Sequence, residues 1–165
     1  MNLSTITNPA AKAFIYEFFA NRDINREVYE KIPADKFDFR MTPKSDSPRE
    51  SLVHQIETEI QYIKAVKDEK LVFGTINADI ETLKKLSKEE LLQELKKQDE
   101  ELIKLLSNEQ LINNPILVPW SKDPIPAISM LWGLNTHEVL HTGWNLALMD
   151  HLGIARFPKL KVVWG

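Results

Sequence analysis

Residues 131–152 read LWGLNTHEVLHTGWNLALMDHL, and this stretch decides the fold. From Ile125 to Met149 the chain carries one acidic residue, Glu138, and neither lysine nor arginine, although 27% of all its residues are charged. So long an uncharged run at helical spacing predicts a helix enclosed by other helices. Asn135, His137, Glu138, His141 and Asn145 interrupt the apolar positions, which excludes a membrane span. His137 and His141 stand four residues apart and project from one face, about 6 Å apart at Cβ. At 100° per residue that face also carries Met130, Leu134, Trp144 and Leu148, which marks it as the inward one. Two imidazoles on an inward stripe need partners, and a metal ion satisfies both at once.

Outward from this helix, three more helical segments precede it. Asn8-Pro9 reads as an N-cap with proline at the first helical position, opening a helix to about Lys31. Ser47-Pro48-Arg49-Glu50 is a capping box that starts a second helix with Leu52, Val53, Ile56, Ile60, Ile63 and Val66 on its apolar stripe. Ser87-Lys88-Glu89-Glu90 is another, opening a solvated outer helix whose stripe runs from Leu91 to Leu106. Asp123-Pro124 reads as the cap of the last long helix, which ends at Gly153. Between these lie connections at 33–46 and 108–123, a segment at 69–86 with room for a short helix from Asn77, and a partly apolar tail from Ile154 that packs on the bundle. No strand set and no internal repeat is visible. The expectation is an all-α four-helix bundle, one domain over residues 1–165.

Composition narrows the function. A net charge of −3 with acids and bases interspersed provides no phosphate-binding surface, so nucleic acid is not an expected partner. There is no cysteine, which removes disulfides, thiolate ligands and a protein-borne thiol nucleophile, and fits a reducing, cytoplasmic setting. The N-terminal residues lack the pattern of a signal peptide, and no membrane partner is expected.

His137-Glu138-Val139-Leu140-His141 is literally H-E-x-x-H, the zincin motif in which the glutamate is the general base. A zincin needs a third ligand downstream. The residue six beyond His141 is Ala147, and no glutamate follows at all, so proteolysis is not the expected activity. His151 lies ten residues further along the same helix, about 15 Å away, which is too far for a bond of about 2.0–2.1 Å. His54 is the remaining histidine. Spacing alone puts it on the polar flank of the second helix, nearly opposite the Leu52/Ile56/Ile60/Ile63 stripe, where it reads as a surface residue. Glu138 is a candidate acid or base toward a metal-bound ligand, with a salt bridge as its plainer role. Asn145 is a candidate partner for a ligand histidine. Trp120, Trp132 and Trp144 read as core or pocket walls.

At these residues the chain resembles the DinB-like (YfiT-type) metal-binding four-helix bundles. That family carries a histidine early in its second helix and an H-x-x-x-H pair in its last long one, written H-E-x-x-H-R-G-Q and followed twelve residues later by glycine. His137 to Gly143 follow that pattern, Gly153 falls at the expected offset, and His54 stands seven residues after a capped helix start. Thr142 and Trp144 replace the family's Arg and Gln around the glycine, and Asp150 stands at a frequent later Arg; substrate contacts therefore do not carry over. The resemblance implies a divalent metal (Zn, Ni or Fe) on His54, His137 and His141. It also implies an enzyme of thiol S-transferase type, in which the metal activates a low-molecular-weight thiol against a small electrophile. A metal-dependent hydrolase and a non-enzymatic metal-bearing binding or stress-response module are the alternatives. The expected partners are a small-molecule substrate and, in a homodimer, a second copy of the chain.

Overall fold

The computed structural model describes residues 3–164. Four long helices form the body: α1 (Pro9–Lys31), α2 (Pro48–Asp68), α4 (Lys88–Leu106) and α6 (Ala127–Leu152). Short helices α3 (Asn77–Leu83), α5 (Glu109–Ile112) and α7 (Pro158–Trp164) fill the connections and the tail. The caps read from the sequence start the first three long helices as expected. The Asn8 side chain accepts from the Ala10 and Ala11 amides, and both Ser47 and Ser87 form complete capping boxes with Glu50 and Glu90. Gly153 closes α6 in the left-handed conformation at φ 67°, as a C-terminal glycine can without a Cβ penalty.

Two features depart from the sequence reading. The last long helix begins at Ala127 and not at Asp123-Pro124, because Ile125–Pro126 pairs with Pro115–Ile116 as a two-residue antiparallel ladder. That ladder ties the chain entering α6 to the end of the preceding connection. The second departure concerns which side of α6 is buried. The buried face is Met130, Leu131, Leu134, Glu138, Thr142, Asn145, Leu148 and Met149. Its centre lies roughly 80° round the helix from His137, so the histidines sit at its edge. The opposite side meets solvent, with Leu140 69% and Trp132 39% exposed. Its small or uncharged residues, such as Ser129, Gly143 and Ala147, gave the misleading look of a helix enclosed on all sides.

α1 packs on α6 and α4, and α2 packs on the same two, so α1 and α2 face each other diagonally. The core splits into two clusters. One gathers Phe14 and Phe18 of α1, Ile63 and Val66 of α2, Leu102 and Leu106 of α4, and Met130 and Leu134 of α6. The other gathers Ile24 and Val28, Leu52 and Ile56, Leu91 and Leu95, and Leu148 and Met149 of the same helices. Each cluster therefore joins the first half of α1 and α6 to the second half of α2 and α4, or the reverse. α1 and α6 run one way, and α2 and α4 the other. Phe157 and Leu160 of the tail are buried in the second cluster, as expected of an apolar tail.

Between the two clusters lies a polar layer to which every long helix contributes. Arg22 of α1 is fully buried and faces three carboxylates: Glu59 Oε2 at 2.7 Å, Glu138 Oε1 at 3.1 Å and Asp99 Oδ1 at 3.5 Å. Burial alone would favour loss of the Arg22 proton, but Glu138, Glu59 and Asp99 together reverse the balance and hold the cation more firmly than in water. Burial pushes Glu59 well above the ordinary carboxylate range and Asp99 up to about 6. Asn25 donates to both the backbone carbonyl and the Oε2 of Glu138, and accepts from Thr142 and Asn145. Burying such charges costs several kcal/mol per ion unless they are paired, so this layer fixes the register of the four helices against one another.

Candidate metal centre

The polar layer backs onto the seam between α2 and α6. Tyr62 of α2 closes on Gly133 of α6 so tightly that an added Cβ would stand 2.9 Å from the Tyr62 hydroxyl. One turn beyond Gly133 comes His137, and another turn on comes His141, both half-buried. α2 starts at the Ser47–Glu50 capping box, and His54, seven residues after Ser47, meets the same seam. His54 is 52% exposed, the rim position its polar flank suggested.

The three rings converge through their Nε2 atoms. His137 Nε2 lies 3.0 Å from His54 Nε2 and 3.2 Å from His141 Nε2, and one donor atom from each ring falls within 4.8 Å of the others. Three donors around a tetrahedral ion with bonds of about 2.0–2.1 Å stand roughly 3.3 Å apart, close to the two separations from His137. No carboxylate joins this cluster among the described residues. The three histidines can therefore form a metal site.

Protonation suits that use. Burial, then the neighbouring His54 and Arg22, bring His137 down to about 4. Burial, then His137, His54 and Arg22, bring His141 down to about 3. Both rings are neutral at physiological pH and have a lone pair to offer.

One residue that sequence reasoning missed holds the site in place. Ser51 Oγ lies 2.9 Å from His141 Nδ1 and 2.9 Å from the buried Tyr29 hydroxyl, which in turn accepts from Gln55 Nε2 at 2.6 Å. When Nε2 binds a metal, the ring proton sits on Nδ1 and donates to Ser51. The available signal was its position, one turn before His54 and four residues before Gln55 on a helix that buries polar side chains. His54 Nδ1 stands 3.7 Å from Glu57 Oε2, and His137 Nδ1 is buried with no hydrogen-bond partner among the described residues.

The structure brings His54, His137 and His141 together and keeps the other candidates apart. Glu138 turns its carboxylate into the polar layer, onto Arg22 and Asn25, and does not line the cleft in front of the histidines. Its place is that of a salt-bridge partner. Asn145 donates to Asn25 and not to a histidine. His151 is exposed and stacks on Phe39 with ring centroids 5.4 Å apart. The cleft itself is open, about 260 Å³, and lined by Asp46, Ser51, Leu140 and Trp144 besides the histidines. Trp144 is a cleft wall, whereas Trp120 is exposed.

A four-helix bundle with a tri-histidine cluster at the seam of two helices defines the class. The sequence model of the DinB superfamily matches residues 17–144, and the chain belongs to that superfamily. Among solved structures it is similar to a DinB-like protein, YjoA, from Bacillus subtilis, at 18% identity and TM-score 0.66 over 88% of this chain and 95% of that one. It is also similar to the mycothiol-dependent maleylpyruvate isomerase, at 10% identity and TM-score 0.66, covering 80% of this chain but spanning 59% of the isomerase. No curated protein matches the chain by sequence. No helix among the described residues is long and apolar enough to cross a membrane.

Proposed function

We propose that the protein binds one divalent metal through His54, His137 and His141 and is a metal-dependent enzyme of thiol-transferase type acting on a small electrophile. The observation that carries this is the convergence of three imidazoles in an open cleft, with no carboxylate or thiolate in the donor set among the described residues. A divalent ion held by three neutral donors keeps its full charge and an open position, and lowers the pKa of a bound thiol from about 8.5 to below 7. The chain has no cysteine, so the thiol comes from outside. The fold shared with an isomerase that depends on mycothiol supports the same direction. Ser51 orients His141, while Leu140 and Trp144 form the apolar wall against which an electrophile can be positioned.

The test is a rate that requires both metal and thiol. Metal-loaded protein is incubated with a small electrophile and several physiological thiols, with a His137→Ala variant of retained helicity as control. Turnover lost without metal, without thiol or in the variant supports the reading. Hydrolysis of an ester or amide without thiol replaces it with a metal-dependent hydrolase. Absence of both reactions leaves a metal-bearing binding module.

A further inference from the structure

We infer that Asp46 selects the charge of the molecule that enters the cleft, favouring a ligand whose remote group is cationic or neutral over one carrying additional carboxylates. This rests on the reading of the three histidines as a metal site, and it names the substrate class. Among the described residues Asp46 is the one carboxylate lining the cleft, and no lysine or arginine lines it. It has no ion-pair partner among the described residues, unlike the neighbouring Glu50. Glu50 is held by Arg40 and the Ser47 amide, and Glu57 accepts from Gln61.

The adjoining recess, about 360 Å³, shares Asp46 and His54 and adds Glu50 and Glu57. Its lysine, Lys84, donates to Glu81 at 2.8 Å. The recess beside His54 thus carries three carboxylates and one lysine, while the wall of the cleft, Leu140 and Trp144, is apolar. A ligand that fits has a soft anionic head for the metal, an apolar middle and a tail that is not negative. The tail, not the head, meets Asp46.

The experiment titrates cobalt(II)-loaded protein with 2-aminoethanethiol and with 3-mercaptopropionate, following the sulfur-to-cobalt charge-transfer band. The native protein is expected to prefer the cationic thiol. The ratio of the two affinities is expected to fall about threefold in Asp46→Asn and about tenfold in Asp46→Lys, and the native preference to shrink in high salt. An unchanged ratio in both variants overturns the assignment. A second pair, histamine and imidazole-4-acetate, needs no thiol and reads the same preference on the cobalt d–d bands. If neither thiol gives the band while the imidazole pair still separates through Asp46, the thiol reading fails and the charge selection stands. If the imidazole pair binds equally in native and variant proteins, the charge selection fails whatever the thiols do.

Discussion

The Ser51 hydroxyl stands 2.9 Å from His141 Nδ1, and it is the contact that holds the ligand ring from behind. The serine is itself buried and braced by Tyr29. Ser51→Ala is expected to lower metal affinity by about 10- to 100-fold, the usual effect of losing an outer partner, with helicity retained. Tyr29→Phe acts one contact further away and should cost less. Competition against a chelator of known affinity measures both, and equal affinity in native protein and Ser51→Ala would show that the contact orients nothing.

The histidine assignment makes a stoichiometric prediction. Protein purified without an affinity tag should carry one divalent ion per chain by elemental analysis. His141→Ala should abolish it and His151→Ala should leave it intact, since His151 stacks on Phe39 instead. Metal that survives His141→Ala but not His151→Ala would refute the site.

Arg22 is predicted to matter for stability and not for chemistry. Arg22→Leu removes the cation that Glu59, Asp99 and Glu138 share in the centre of the bundle, leaving only Arg26 against Asp99. Removing one partner of a buried ion pair costs about 3–5 kcal/mol. Urea unfolding should show a loss of that order, or no folded protein at all. A loss below about 1 kcal/mol would mean that water reaches the layer.

The depressed histidines give a pH dependence with a definite sign. In the metal-free protein His137 and His141 resist protonation until about 4 and about 3, whereas in the unfolded chain they titrate near 6.5. Their contribution to stability is fully present above about 6.5 and is lost progressively as pH falls from there to those lower values. Asp99 and Glu59, both raised, act in the opposite sense, with stability lost as pH rises through their folded values. Comparing native protein with a His137→Gln/His141→Gln double variant cancels the carboxylates. The variant's urea midpoint should fall less between pH 7.5 and 5 than that of the native protein, and a parallel fall would contradict the depressed values.

The starts of α1, α2 and α4 were legible because they rest on local chemistry, whereas that of α6 was not, because a long-range ladder holds Ile125–Pro126. A serine three residues before a glutamate caps its own helix whatever surrounds it, and Ser47 and Ser87 both do. The His137/His141 pair was legible for the same reason, as a spacing within one helix. His54 was not: its partners are 83 residues away, and its exposed flank looks like any solvated helix side. Only the family resemblance pointed to it. The polar layer was hidden for a related reason. Arg22, Glu59 and Asp99 each read as ordinary charges on their own helices, and their burial follows from how four helices meet.

The order of the helices along the chain also sets when the centre can exist. His54 is synthesised early on α2, but both His137 and His141 lie on α6, which supplies a wall to each half of the core. A chain interrupted anywhere before α6 holds a single imidazole on an unclosed bundle, and one such donor retains no ion. On the proposed assignment metal capture would report completion: only a polypeptide extended past residue 141, with all four helices in register, brings the three histidines together.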